Sequence, residues 1–259
     1  MDKPIDPTQP ALPDAAGSSP GLRLSVVIPV FNEAGTIHEL VGRVVAARVP
    51  AGLVKEIVCV NDASTDGTAA RLDALPAMFP EVPIRVIHLP VNRGKGAAVR
   101  AGFAAATGDV VLIQDADLEY DPDDYPTLLE PIVEDRADVV YGSRFIGSEP
   151  HRVHYFWHSV ANRMLTLMSN MMTNLNLTDM EVGYKVFRAS VLKRIPPLKC
   201  DRFGFEPEVT AKVARLRPRV RVYEVGVSYH GRSYEEGKKI TWIDGIKAVL
   251  TILRFRIFK

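Results

Sequence analysis

Two aspartates one residue apart, Asp115 and Asp117, follow the apolar run Val110-Val111-Leu112-Ile113. Four such residues read as a buried strand, so the pair falls where that strand leaves its sheet. A turn there can bring both carboxylates to one ion. Hard divalent cations take oxygen ligands, often one or two carboxylates plus substrate phosphates. Asp115-Ala116-Asp117 therefore predicts a Mg²⁺ or Mn²⁺ site facing a diphosphate. A solvated turn is the competing reading, because Asp-x-Asp is common by chance.

The elements around the pair decide between the two. Apolar strand patterns run over Leu24–Val30, Val54–Val60, Ile84–Leu89, Asp109–Ile113 and Asp138–Tyr141. Helical patterns lie between them, the first through Ile37, Leu40, Val41, Val44 and Val45 and another through Ala97, Val99 and Phe103. Ser64 or Thr65 is the expected cap of the short helix after the second strand. Alternation of this kind predicts an α/β fold with a doubly wound, mostly parallel sheet flanked by helices. Ligands bind such sheets at the carboxyl ends of the strands. Polar residues gather there: Asn32 and Glu33 after the first strand, Asp62 after the second, Asn92 to Lys95 after the third, Asp115 and Asp117 after the fourth. Each has a structural reading as well, Asp62 and Asp66 as turn formers and Glu33 at a helix N-terminus. Four clusters on one edge point to a shared ligand site.

Gly94-Lys95-Gly96 lacks the full pattern of a P-loop, and no G-x-G-x-x-G follows the first strand. The glycines still let backbone approach a ligand closely, which puts Lys95 or Arg93 within reach of a phosphate. A net charge of +1 over 259 residues gives no argument for nucleic acid. Two cysteines, Cys59 and Cys200, form no disulfide framework or zinc spacing, and a reducing, cytoplasmic compartment fits. Cys59, inside the run Ile57–Val60, is expected to be a buried thiol. Residues 1–21 read as a disordered tail without the features of a signal peptide. No apolar stretch is long enough for a membrane span.

Ser25-Val-Val-Ile-Pro-Val-Phe-Asn-Glu33, Val60-Asn-Asp-Ala-Ser-Thr-Asp-Gly-Thr68, Asn92-Arg-Gly-Lys-Gly96 and Asp115-Ala-Asp-Leu118 together resemble the ordered motifs of family 2 glycosyltransferases with a GT-A fold. The nearest likeness is to the dolichyl- or polyprenyl-phosphate sugar synthase branch. The resemblance implies a domain over residues 22–239 that moves a sugar, with inversion, from a nucleoside diphosphate sugar to a polyprenyl phosphate. Pro29, Phe31 and Glu33 would line the base and ribose pocket, Asp62 would contact base or ribose, and Arg93 and Lys95 would lie near the nucleotide. Asp115, Ala116 and Asp117 would bring the divalent metal and diphosphate together. Glu119 stands where that branch often has Gln, and it adds a third oxygen ligand to the expected metal set. Transfer to a hydroxyl of a glycan, lipid or protein is the rival activity. A nucleotide-sugar-binding protein without catalysis is the rival of another class.

The second half bears on the acceptor. Arg144, after the fifth strand, contacts diphosphate or acceptor, with a surface salt bridge as the alternative. Asp179 and Glu181 stand at the mouth of an alternating strand that runs to Arg188. Glu206 and Glu208 open a helix, where one serves as base or orients the acceptor, or both simply answer the helix dipole. The resemblance makes the loop from His230 to Lys239 a closing loop, with Arg232 stabilising the leaving diphosphate. Met164, Met168, Met171 and Leu175 recur at helical spacing, which reads more readily as core than as interface. Residues 240–259 form an expected amphipathic helix with aromatic and basic residues. It would either lie peripherally on a membrane surface or pack on the domain.

Overall fold

The computed structural model describes residues 21–147, 156–231 and 248–254. Seven strands form one sheet in the order β3-β2-β1-β4-β6-β5-β7. β1 (Arg23–Val30), β2 (Val54–Asn61), β3 (Ile84–His88) and β4 (Val110–Ile113) run parallel. β5 (Val139–Ser143) pairs parallel with β7 (Val222–Gly226), whereas β6 (Lys185–Arg188) is antiparallel to both β4 and β5. The expected mostly parallel sheet is present, with one strand reversed. β7 was not anticipated, because its central Tyr223-Glu224 interrupts the apolar pattern at a half-exposed edge.

The connections are α1 (Ile37–Ala46), α2 (Thr68–Met78), α3 (Lys95–Ala105), α4 (Tyr125–Val133), α5 (Phe156–Thr173), α6 (Ala189–Leu192) and α7 (Phe205–Arg215). Both faces of β1 are covered, and Leu24, Val26, Val27 and Ile28 are all fully buried. That is why parallel strands read as continuous apolar runs. Val26 and Ile28 join the larger core with Leu40 and Val41 of α1, while Val27 joins Ala98 of α3 in a second cluster. α3 lies tight on the sheet through Gly102, where an added Cβ would come 2.2 Å from Val27 Cγ1.

Two local expectations are corrected. α2 is entered through Gly67 in a left-handed conformation, not through a Ser64 or Thr65 cap. Those two residues bond to Asn32 instead, and the Asp66 carboxylate accepts the Thr68 N–H at 3.1 Å. The methionine stripe is not wholly core. Met168 and Met172 pack partly, but Met164 and Met171 are 61% and 62% exposed.

α5 is in fact turned the reverse of an ordinary surface helix. The helical period puts Asn162, Thr166 and Ser169 on one side and Trp157, Met164, Leu167 and Met171 on the other. Thr166 and Ser169 are buried, while Trp157 is 74% and Leu167 58% exposed. Of the expected C-terminal helix, residues 248–254 are helical, with Ala248 and Ile252 buried and Leu250 and Leu253 exposed. The rest of that segment, the Arg232 loop and the tail of residues 1–20 lie outside the described residues. Among the described residues no helix is long and apolar enough to cross a membrane.

Candidate active site

The carboxyl ends of β1, β2 and β4 and the start of the antiparallel β6 meet on one edge, since Ile113 pairs with Lys185 in register. The turn after β4 is pinned from beneath by Gln114. Its Oε1 accepts the hydroxyls of Tyr125 and Tyr184, both at 2.8 Å, and its Nε2 donates to the Asp115 carbonyl at 3.0 Å. Leu118 takes a left-handed φ of 61° to complete the turn. Gly183 leaves room for Asp115: a Cβ there would sit 2.2 Å from Asp115 Oδ2. Ala116 is buried, and its carbonyl oxygen lies 3.1 Å from Thr36 Oγ1.

Lys95, the first residue of α3, reaches this turn. Its Nζ lies 2.8 Å from Asp115 Oδ1 and 3.1 Å from Glu206 Oε1 of α7. Burial favours the neutral amine, but the two carboxylates outweigh it and hold Lys95 charged, with its pKa well above the usual range. Glu206 Oε2 and Glu181 Oε1 are buried without a hydrogen-bond partner among the described residues. Burial, followed by the charge of Glu206, pushes the Glu181 carboxyl up to about 8. Burial likewise pushes the ammonium of Lys185 down to about 8. Glu208, by contrast, is a structural clamp. Its oxygens accept the Lys199 N–H at 2.8 Å, the Cys200 N–H at 2.6 Å and Lys212 Nζ at 2.6 Å.

The Glu181 shift carries a sign that can be measured. A carboxyl raised in the folded state gives its full stability below the unfolded value near 4.3 and loses it as pH rises through the folded value. Glu181→Gln should therefore melt higher than wild type at about pH 8.5 and equal to it at about pH 4. The rise is a matter of a few degrees, because part of Glu181 reaches solvent. Melting curves that stay parallel across this range would refute the shift.

Arg144 is no surface salt bridge. Its Nε and Nη2 bond the two oxygens of Asp179 at 2.6 and 2.7 Å, and Asp179 is fully buried. Asn162 of α5 adds a third side-chain donor at 3.1 Å, and the Arg144 N–H a further bond at 3.1 Å. The guanidinium also sits 5.1 Å from the Tyr229 ring centre. An arginine gripped along one side in this way is held in one orientation.

On the β1 and β2 side, Pro29 and Phe31 are partly exposed and Glu33 is buried, with Oε2 accepting the Thr36 hydroxyl at 2.7 Å. Asp62 was expected at a base or ribose. Here both its oxygens accept backbone N–H groups, from Arg93 at 2.9 Å and Gly94 at 2.6 Å, so it ties the loop before α3 to the end of β2. The Arg93 guanidinium pairs with Asp201 at 3.0 Å. Glu119 is turned toward Tyr229, whose hydroxyl donates to Oε2 at 2.7 Å.

Among the described residues no three His, Cys, Asp or Glu side chains gather closely enough to hold a metal. The three-carboxylate set with Glu119 is therefore not assembled. Asp115 and Asp117 remain as an all-oxygen pair, which suits a hard cation that draws its other ligands from a diphosphate and water. Asp179 was expected at a strand mouth but not as the buried partner of Arg144, and Lys185 was not anticipated, because nothing local in the sequence shows that either is buried.

The profile of glycosyl transferase family 2 matches residues 25–196. A dodecaprenyl-phosphate galacturonate synthase from Rhizobium johnstonii is 30% identical over 218 residues, covering 84% of this chain but only 62% of that protein's length. An undecaprenyl-phosphate mannosyltransferase from Micrococcus luteus is 32% identical over 243 residues, covering 90% of this chain and 94% of that protein. Among solved structures, glucosyl-3-phosphoglycerate synthase from Mycobacterium tuberculosis, in complex with Mn²⁺, UDP and phosphoglyceric acid, aligns with a TM-score of 0.68 at 21% identity. It covers 92% of this chain and 80% of its own. At that identity the likeness is one of fold, the GT-A fold expected from the motifs.

Proposed function

The chain belongs to glycosyl transferase family 2, and on that premise we propose that it moves a sugar from a nucleoside diphosphate sugar to a polyprenyl phosphate at a membrane surface. The observation that carries the acceptor is the placement of α5. One side of this helix bonds the Asp179 that grips Arg144, and the other presents Trp157, Met164, Leu167 and Met171 outward. An oriented arginine one helix away from an apolar face suits a phosphate on a lipid tail. α5 contains no acidic residue and carries His158 and Arg163, which fits an anionic membrane surface. The names of the two relatives point to the same acceptor class.

In this reading a phosphate oxygen of the acceptor forms the new bond to the anomeric carbon. The bond from that carbon to the donor diphosphate breaks, and its electron pair leaves with the diphosphate. An ionised phosphate has no proton to surrender, and the site agrees. Glu206 is paired with Lys95, Asp179 is held by Arg144 and Asn162, Glu208 is tied to backbone, and burial shifts Glu181 toward its protonated form. A hydroxyl acceptor would need a base. Asp115 and Asp117 would hold a divalent ion, which when bound offsets charge on the leaving diphosphate. Lys95 adds a fixed positive charge beside Asp115, pre-oriented by Glu206. Arg232, outside the described residues, is assigned the same duty. Pro29, Phe31 and Glu33 would face the nucleoside, and Asp62 would act by holding the Arg93-Gly94 loop in place.

The test uses a double substitution, Met164→Glu with Met171→Glu. It should cut sedimentation with anionic vesicles and transfer to a long-chain polyprenyl phosphate by roughly tenfold or more. Melting temperature and transfer to a short-chain phosphate acceptor should hold. Equal losses on both acceptors, or wild-type transfer to a free sugar hydroxyl, would overturn the lipid-phosphate reading.

A further inference from the structure

His88 ends β3, opposite Asn61 at the end of β2. Its Nε2 lies 3.0 Å from Asp73 Oδ1 of α2, and its Nδ1 lies 2.9 Å from Asn61 Nδ2. Asn61 Oδ1 accepts the Ser64 N–H at 3.0 Å. Ser64 Oγ accepts the Asn32 N–H at 3.0 Å, and Asn32 Oδ1 accepts the Thr65 N–H at 2.8 Å. One chain of bonds thus runs from a surface carboxylate to the turn after β1.

This chain admits one protonation state. The Ser64 N–H only donates, so the Asn61 atom facing it is oxygen and the atom facing His88 is the amide nitrogen, which also only donates. His88 Nδ1 must then carry the lone pair, and the ring proton sits on Nε2 toward Asp73. A doubly protonated ring would set N–H against N–H. Turning the Asn61 amide over would strip Ser64 of its acceptor. The turns need this support, since Asn32 and Ala63 hold φ of 53° and 55°, a left-handed backbone that residues other than glycine rarely adopt. Such strain persists where surrounding bonds over-determine it.

We propose that His88 is a positioning residue for the donor nucleotide: its Nδ1 lone pair, accepting from Asn61, locks the 61–65 turn onto the turn after β1, and loss of that acceptor loosens both turns and weakens donor binding. This rests on the reading above that the turn after β1 faces the nucleoside and that Asp62, in the 61–65 turn, holds the Arg93-Gly94 loop beside it. The charged and titratable groups of the packed elements are Arg71 and Asp73 of α2 and Lys55, Glu56, Cys59 and Asp62 at β2. Lys55 donates to the carbonyls of Val44, Val45 and Ala47, Glu56 accepts from Thr107, and Asp62 accepts from Arg93 and Gly94. Burial pushes the Cys59 thiol up to about 12, so it stays neutral. Of these groups Asp73 is the one that bonds the ring. The pair is exposed, His88 by 39% and Asp73 by 65%, so breaking it costs the fold little.

The experiment compares the full chain with His88→Ala and His88→Asn. Amide hydrogen exchange is read without ligand, and binding of UDP and of GDP with Mn²⁺ by calorimetry. His88→Ala should speed exchange at Ser64 and Thr65 about fivefold or more and weaken binding of whichever nucleotide binds wild type by a similar factor. His88→Asn sets an amide oxygen where Nδ1 stood and should restore both. Nitrogen-15 spectra of wild type should place the ring proton on Nε2. A proton on Nδ1, or unchanged exchange in His88→Ala, overturns the inference. Faster exchange with unchanged nucleotide affinity overturns instead the reading that these turns hold the donor.

Discussion

Replacing Asp117 with alanine should lower sugar transfer at least about a hundredfold, the scale on which removing one preorganised charge-stabilising group acts, and leave the fold intact. Asp117 is partly exposed, at a turn, and one of its oxygens accepts the Glu119 N–H at 3.2 Å. That bond is worth about 1 kcal/mol. The turn keeps its Gln114 supports, so melting should shift by only a few degrees. The reason for the large kinetic effect is the charge on the departing diphosphate. Asp115 is already matched by Lys95 at 2.8 Å, and a cation held there would take an oxygen from Asp117 as well. Transfer assayed over a Mn²⁺ and Mg²⁺ titration checks this. A near-wild-type rate, or a wild-type rate indifferent to chelator, would sink the metal assignment.

Asp179→Ala should be the most destabilising single change at the site, by about 3–5 kcal/mol, because it strands a paired charge in a dry setting. Asp179 is fully buried and accepts from the Arg144 N–H, Nε and Nη2 and from Asn162. Burial alone would raise its pKa, but the Arg144 charge and these bonds outweigh burial and hold it below the ordinary carboxylate value. A depressed carboxyl contributes stability above its unfolded value near 3.9 and loses it as pH falls through the folded one. The gap between wild type and variant should therefore be full at neutral pH and narrow below about pH 4. Chemical denaturation across that range is the measurement. A loss under about 1 kcal/mol at neutral pH would mean the pair is solvent-screened after all. Asp179→Asn, which keeps the shape and the Asn162 contact region but not the charge, should fall between the two.

The fold was legible because its signals are local. The buried runs of β1, β2 and β4 are continuous stretches of Val, Ile and Leu, and period and punctuation mark where each one stops. Parallel strands that stop together put Asn32, Glu33, Asp62, Asp115 and Asp117 on one edge, so the candidate site and the family could be read from order and spacing. β7 was not legible, since an edge strand is under weaker pressure to stay apolar.

Pairing and burial were decided by tertiary structure. Arg144 meets Asp179 across 35 residues and Arg93 meets Asp201 across 108. Whether Glu206 faces Lys95 while Glu208, two residues on, braces the backbone of Lys199 and Cys200 depends on how α7 seats against α5, the start of α3 and the preceding loop. The same holds for α5, whose Met164 and Met171 have the spacing of a core helix but face outward, because the small polar side of the helix fits against Asp179 and Met180. Spacing along a chain says which residues share a face. Which way the face points is settled by the surfaces packed against it, and those come from distant segments.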